Sequence, residues 1–279
     1  MISALDERFI AAHAYVPEHL PGYVGAVSAT EPHRVGDFLC YRGADRIVFI
    51  GYPLGCAFDE SAMAVSLEAA VARFAPQSVS VVGPSSGAVG GLHSAYETDR
   101  YYRLDLETLR AEGAAAGMVR RATRDVQVEG TAHVDAEHVR LIAEFIGERA
   151  LSEETRYVFE RVPAYVRAAA TARVFSARDR SGRLVAFDVA DFGADEYAFY
   201  LFNFRTRAGY VPGASDLLLR DLAIAARAES KRYLNLGLGV SEGVTAFKRK
   251  WGATPFVDYV HCRYRPRRPR LLDVLLRGW

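Results

Sequence analysis

The stretch from Val211 to Ala253 reads VPGASDLLLRDLAIAARAESKRYLNLGLGVSEGVTAFKRKWGA. Pro212 and Gly213 make a turn, and Ser215 or Asp216 can cap the helix that follows. Leu234, Leu236 and Leu238 then alternate with Asn235, Gly237 and Gly239, the two-residue period of a strand. A Ser-Glu-Gly turn leads into a short helix, where Phe247 and Trp251 stand four residues apart and can anchor it to a core. The start of the long helix can offer unpaired N–H groups to a pyrophosphate or carboxylate, although an ordinary capped helix has the same look. Lys248, Arg249 and Lys250 are consecutive, so they fan around the short helix and cannot all face one ligand. The plainest reading of that triplet is a solvated basic face. The functional reading sets Lys248 or Lys250 against a phosphate near the strand end.

The same order occurs once more, nearer the start. RIVFIGYPLG (Arg46 to Gly55) is a strand run ending in a Gly/Pro turn. DESAMAVSLEAAVARFA follows as an amphipathic helix capped by Asp59 or Ser61, and Ser78 to Gly83 is a second strand. The matching run in the C half extends from Tyr197 to Gly237, with helices beginning near Asp59 and Ala214. This pattern predicts a duplicated α/β unit. Around it, the first 35 residues read as an irregular or helical lead-in, and Pro84 to Gly91 as a glycine-rich loop. YYRLDLETL reads as a strand, and RRATRDVQVEG as a helix passing into a strand. A strong helix is expected in DAEHVRLIAEFIGERAL, with Val139, Ile142, Ala143 and Ile146 on its apolar face. A helical segment broken near Pro163 comes next, then an antiparallel hairpin turning at Asp179 to Gly182. PFVDYVHCRYR is the last strand.

Bulk properties narrow the function classes. Half of the 279 residues are hydrophobic and a quarter are charged, which suits a globular protein with a sizeable core. The formal net charge is +1, so no global field argues for nucleic acid or membrane. Cys40, Cys56 and Cys262 lie far apart, which fits a reducing compartment better than a disulfide framework. Neither a signal peptide nor a transmembrane run is apparent, and a cytoplasmic location is the expectation. The stretch GPSSG formally matches a nucleophile elbow around Ser85, but Pro84 before it and GAVGG after it make poor helix material, so a plain loop is expected. His133 and His138 are five apart and have no cysteine cluster behind them, so no metal site is expected. The chain shows neither a P-loop ending nor a strand-linked GxGxxG, which removes nucleotide hydrolysis and dinucleotide redox chemistry. Arg263, Arg265, Arg267, Arg268 and Arg270 crowd the tail. They suit either anionic lipid or RNA phosphate, or a C-terminal helix docked by its leucines with the arginines in water.

The order VPGASDLLLRDLAIAA, LNLGLG, FKRKWG resembles the GNAT-like C-terminal domain of phosphatidylglycerol lysyltransferases, and also the Fem-type aminoacyltransferases. YRGADRIVFIGYPLG resembles the first repeat of that architecture, and MVRRATRDVQVE its Arg-rich link. The likeness runs from Asp37 to Arg265. It implies an α+β fold of two tandem GNAT-like repeats, with mixed sheets flanked by helices. The repeats would be residues 1–125 and 126–279, with the active cleft mainly in the second. The implied reaction is transfer of an acyl or aminoacyl group to an amine or hydroxyl, with no tightly bound cofactor. The donor would be aminoacyl-tRNA, with acyl-CoA as the alternative. In GNAT enzymes the turn before the long helix holds the coenzyme A pyrophosphate, and here that turn comprises Val211, Gly213, Ala214 and Ser215. It departs from the Gln/Arg-x-x-Gly-x-Gly/Ala pattern, with Arg207 ahead of it and Gly213 as its only central glycine. Lys248 and Lys250 match the basic segment of the aminoacyl-tRNA users.

In this fold two strands splay apart and free backbone N–H groups for an oxyanion. The polar candidates at such a cleft are Asp188, Asp191, Asn203 and Asn235, with Asp188 or Asp191 as base, or else proton transfer assisted by the substrate. The implied partners are tRNA and a small-molecule or lipid-headgroup acceptor, with peripheral membrane contact through the tail and no stable DNA binding. A catalytically idle repeat pair that binds a ligand or partner is the competing reading.

Overall fold

A computed structural model describes residues 2–89, 95–109 and 114–266. The lead-in is helical. Ser3 and Asp6 form a reciprocal capping box at the start of α1 (Ala4–His13). A 3-10 turn (Pro17–His19) and α2 (Pro21–Ser28) follow, both opened by proline, which suits a first helical position. Then come β1 (Glu31–Val35), β2 (Phe38–Arg42), β3 (Arg46–Ile50), α3 (Glu60–Phe74) and β4 (Ser78–Gly83). Of the two expected caps for α3, Asp59 does the work, accepting from the Ala62 N–H at 2.6 Å. A 3-10 turn (Gly87–Val89) precedes β5, which begins at Ala95, ahead of the expected Tyr101, and ends at Asp105.

The chain continues with α4 (Ala114–Ala122), β6 (Val126–Thr131), α5 (Ala136–Gly147), α6 (Glu153–Glu160) and α7 (Val162–Ala168). Pro163 lies in the first turn of α7, so the expected interruption falls at Arg161. The hairpin of β7 (Ala172–Asp179) and β8 (Leu184–Asp191) is followed by β9 (Tyr197–Arg205), α8 (Ala214–Ala228), β10 (Tyr233–Leu238), α9 (Glu242–Lys250) and β11 (Thr254–Tyr264). One expected face is corrected. α5 buries His138, Leu141, Ile142 and Ile146, whereas Val139 and Ala143 are exposed. The helix is turned because His138 is held inward, with Nε2 2.8 Å from Ser176 Oγ and Nδ1 2.8 Å from Asp135 Oδ1.

The described strands form one eleven-stranded sheet in the order β1-β2-β3-β4-β11-β5-β10-β9-β8-β7-β6. The repeated unit is plain. β3 and β4 are parallel and joined by α3, β9 and β10 are parallel and joined by α8, and each helix has 15 residues. The strand closing each unit has changed places with its counterpart. β11 lies beside β4, β5 lies beside β10, and β5 and β11 pair with each other. Both cross-pairings are antiparallel, so each half is completed by a strand from the other.

The core follows this plan. α3 covers Phe49, Val79 and Val81 on one face of the first half. α4 and α8 pack together over Ala186, Ala198, Leu234 and Leu236 of the second. On the opposite face, α5 and α7 cover Phe187, Val189 and Phe204, and the lead-in helices cover Tyr41, Ile50, Tyr101 and Phe199. The three cysteines are free. Arg263 lies in β11, one residue before its end at Tyr264, while Arg267, Arg268 and Arg270 of the basic tail lie outside the described residues.

Candidate active site

β9 and β10 part company early. Their parallel ladder holds only at Tyr233↔Tyr197, Leu234↔Ala198 and Asn235↔Phe199. By contrast, β3 and β4 stay paired from Arg46↔Ser78 to Ile50↔Val82. Two irregularities sit where β9 and β10 diverge. β9 carries a bulge at Leu201, between the Ala190↔Tyr200 and Val189↔Phe202 pairs, and the β10–β5 register breaks between Asn235 and Leu238. Bulges of this kind re-aim strands and end pairing. Gly237 has φ +74°, a backbone state that favours glycine, and its N–H donates to Asn235 Oδ1 at 2.7 Å. Asn235 is itself anchored by donating to the Tyr15 carbonyl at 2.8 Å. The sequence thus places Asn235 and Gly237 where they kink one wall away from the other.

The resulting cleft has a volume of about 620 Å³. Phe145, Phe159, Phe202 and Phe204 line its side under α5 and α6. Tyr200, Asn203, Ser215, Leu236 and Lys248 line the side toward α8 and α9. Lys248 is 3 % exposed. Its ammonium donates to the Leu238 carbonyl and lies 5.8 Å from the Tyr102 ring centre. Burial pushes this lysine down to about 7, against the opposing pull of Asp99. Asp99, on β5, also binds the chain as it leaves β10, accepting from the Gly239 and Val240 N–H groups at 3.1 and 2.8 Å.

A polar chain runs along the α8 side. Ser215 Oγ donates to Asn203 Oδ1 at 3.3 Å, and Asn203 Nδ2 donates to Asp188 Oδ1 at 2.6 Å. Asp188 is fully buried, and among the described residues its Oδ2 has no hydrogen-bond partner. Burial holds its carboxyl well above the usual range, although Asn203 and Tyr200 pull the other way. That environment favours the neutral acid. Asp191 has different company, since the Tyr165 hydroxyl, the Thr171 hydroxyl and the Gly193 N–H donate to it at 2.5, 3.0 and 2.7 Å. It does not line the cleft.

A second cavity, of about 170 Å³, sits at the start of α8 and is lined by Met118, Arg205, Val211, Gly213, Ala214, Ser215 and Lys250, among others. Gly213, at φ +86°, is the helix cap, and a Cβ there would lie 2.4 Å from the Met118 carbonyl oxygen of α4. Lys250 is paired with Asp216 Oδ1 at 2.5 Å, and the Trp251 indole donates to that same oxygen at 2.9 Å. Of the expected residues, Asn203, Ser215 and Lys248 meet in the cleft, with Asp188 behind Asn203. Val211, Gly213, Ala214 and Lys250 gather at the smaller cavity. Asn235 shapes the β10 wall, and Asp191 stands apart. Sequence reasoning missed Tyr200 and the phenylalanine wall. Nothing local marks them, because they converge from β9, α5 and α6.

No protein-family model and no curated protein matches the chain. Solved structures do. FemX superposes with a TM-score of 0.62 at 13 % identity, over 99 % of this chain and 98 % of its own. The C-terminal domain of a protein assigned as a lysylphosphatidylglycerol synthetase from Agrobacterium fabrum gives 0.60 at 13 %, over 93 % and 92 %. A tandem GNAT protein from the clavulanic acid biosynthesis pathway gives 0.55 at 16 %, over 95 % and 94 %. The fold is a tandem GNAT fold. At these identities the likeness concerns architecture, which the sequence resemblance had implied. Among the described residues, no group of three or more His, Cys, Asp or Glu could hold a metal ion, and no helix is long and apolar enough to cross a membrane. Ser85 donates to Glu60 Oε1 at 2.5 Å and accepts from the Gly87 N–H at 3.0 Å, inside a loop and 3-10 turn.

Proposed function

We propose that this chain is a GNAT-fold transferase that moves an aminoacyl group from aminoacyl-tRNA to an amine or hydroxyl acceptor. The observation that carries the reading is Lys248, a buried lysine tuned to about 7 at the mouth of the β9–β10 opening. A general base is most effective when its pKa lies near the working pH. Neutral Lys248 takes the proton from the acceptor as its nitrogen or oxygen attacks the donor ester carbonyl. Backbone N–H groups of β9 beyond Phe199, where the ladder to β10 has ended, stabilise the developing oxyanion. The new bond to the carbonyl carbon forms, the bond to the ribose oxygen breaks, and Lys248 returns the proton to that oxygen. Asn203, Ser215 and Asp188 order the α8 wall. Asn235 acts through the kink, and Asp191 takes no part in the chemistry.

The choice of tRNA over coenzyme A is supported by the start of α8. α4 crosses close to Gly213, the cavity there is small, Asp216 brings its own carboxylate to the helix end, and Lys250 is already paired with it. A helix N-terminus so furnished has less to offer a pyrophosphate. Acyl-CoA-dependent N-acylation remains the second reading, because Arg205 and the free helix end still face that cavity.

The test uses the full chain with a pool of charged tRNAs, acetyl-CoA, and a panel of simple amines and alcohols. The expected result is a tRNA mobility shift that weakens steeply with salt, together with amine-dependent loss of the aminoacyl group. Lys248→Met is expected to slow transfer by about 100-fold or more while tRNA binding persists. A rise in melting temperature with coenzyme A, without tRNA binding, would replace this reading with the second one. No response to either donor would identify an idle ligand-binding pair.

A further inference from the structure

Glu18 is a carboxylate that the cleft chemistry does not use. It lies in the 3-10 turn between α1 and α2, and Tyr101 donates to its Oε2 at 2.8 Å. The Tyr41 hydroxyl donates to its backbone carbonyl, also at 2.8 Å. Besides Tyr101, only its own backbone N–H is turned to the carboxyl, and no cationic side chain among the described residues pairs with it. Tyrosines surround it. The Tyr101 ring packs edge-on against Tyr52 at 5.9 Å and Tyr259 at 5.8 Å. Burial, and after it the Glu18 carboxylate, hold the phenols of Tyr23, Tyr41, Tyr52, Tyr101 and Tyr259 above their ordinary value. Among the described residues, the Tyr23 and Tyr259 hydroxyls have no hydrogen-bond partner, yet neither is sealed from solvent.

Two contacts tie this box to the cleft. Tyr101 is the β5 partner of Leu238, whose carbonyl receives Lys248. Tyr23 packs edge-on against Phe202 of the cleft wall at 5.9 Å. Tyr101 and Tyr102 are consecutive on β5, so they face opposite sides of the sheet. Lys248 sits over Tyr102 and Glu18 binds Tyr101, which puts the two titratable groups on opposite faces at the same level.

Burial raises the Glu18 carboxyl, and the cost of ionising it without a cation, inside a wall of tyrosine rings, is what an incoming ammonium would offset. We propose that Glu18, with Tyr23, Tyr101 and Tyr259, forms a subsite for a primary ammonium on the face of the sheet opposite Lys248. The ammonium would belong to the aminoacyl group or to the acceptor amine, and only that attribution rests on the transferase reading. Such a site separates aminoacyl donors, which carry an ammonium, from plain acyl donors, which do not.

The test is equilibrium binding to the full chain without donor or turnover, read by ligand-observed NMR. The probes are alaninamide against N-acetylalaninamide, and n-butylammonium against n-butanol. The expected result is saturable binding of at least one ammonium probe, at least tenfold tighter than its neutral partner. Glu18→Gln should abolish that preference. Tyr23→Phe, which keeps the ring, should weaken it several-fold and serves if the first variant fails to fold. Alaninamide binding alone assigns the site to the aminoacyl group, and n-butylammonium binding assigns it to the acceptor. If neither ammonium outcompetes its neutral partner, or Glu18→Gln leaves the preference intact, Glu18 is a structural acid and the proposal falls. Loss of transfer in Lys248→Met bears on the transferase reading alone and leaves this titration untouched.

Discussion

Lys248 shows how much one residue's setting matters. The sequence places three cations in a row, and it is the anchors Phe247 and Trp251 that decide which one turns inward. Lys248 borders that anchored face, Lys250 reaches Asp216, and Arg249 stays exposed. That Lys248 is a candidate was legible, because it follows the strand end. Its burial was not, since Tyr102 and Asp99 arrive from a strand more than a hundred residues away. The consequence can be measured. Its folded pKa of about 7 is below the unfolded value near 10.5. Between the two the unfolded chain holds a proton that the folded chain lacks, so this residue makes stability rise with pH across that window. Below about 7 both states are protonated, and the cost of burying the charge is present in full. Denaturant midpoints at pH 6, 7.5 and 9 should therefore improve for the wild type relative to Lys248→Met. Parallel midpoints would mean that the lysine is not desolvated. As a base, it should also make transfer fall about tenfold per pH unit below about 7 and level off above.

At the scale of elements, α9 is short and holds its lysine by its first turn. Ser241 caps it, with Oγ accepting from the Val244 N–H at 3.3 Å. Ser241→Ala should cost about 1 kcal/mol of stability. It should also lower the transfer rate more than it alters tRNA affinity, because Lys248 lies two turns beyond the cap. Unchanged turnover, measured alongside the melting curve, would show that Asp99 and Trp251 alone fix the helix. Elements set by local chemistry were the legible ones. Asp59 before α3, Pro163 in α7 and the Asp179–Gly182 turn all act within a few residues. The apolar face of α5 was misread because its orientation depends on Ser176, a strand partner that no helical period reveals.

Over the whole molecule, the duplicated unit could be read from the order of strand, turn and helix, but the exchange of β5 and β11 could not. Either strand has the same alternation wherever it is placed, and only the completed sheet selects its neighbours. The exchange predicts that the halves unfold together. Calorimetry should show one transition, and a chain cut between α4 and β6 should give soluble protein only when both pieces are made together. Two resolved transitions, or a first piece that folds alone, would contradict this.

The same exchange bears on how the protein is made. Until β11 has left the ribosome, β4 and β5 each lack the hydrogen-bonding neighbour on one side, and the first half carries raw strand edges through most of translation. Its folding cannot be completed domain by domain as the chain emerges. A chaperone that shields strand edges should therefore raise the yield far more than slower translation does.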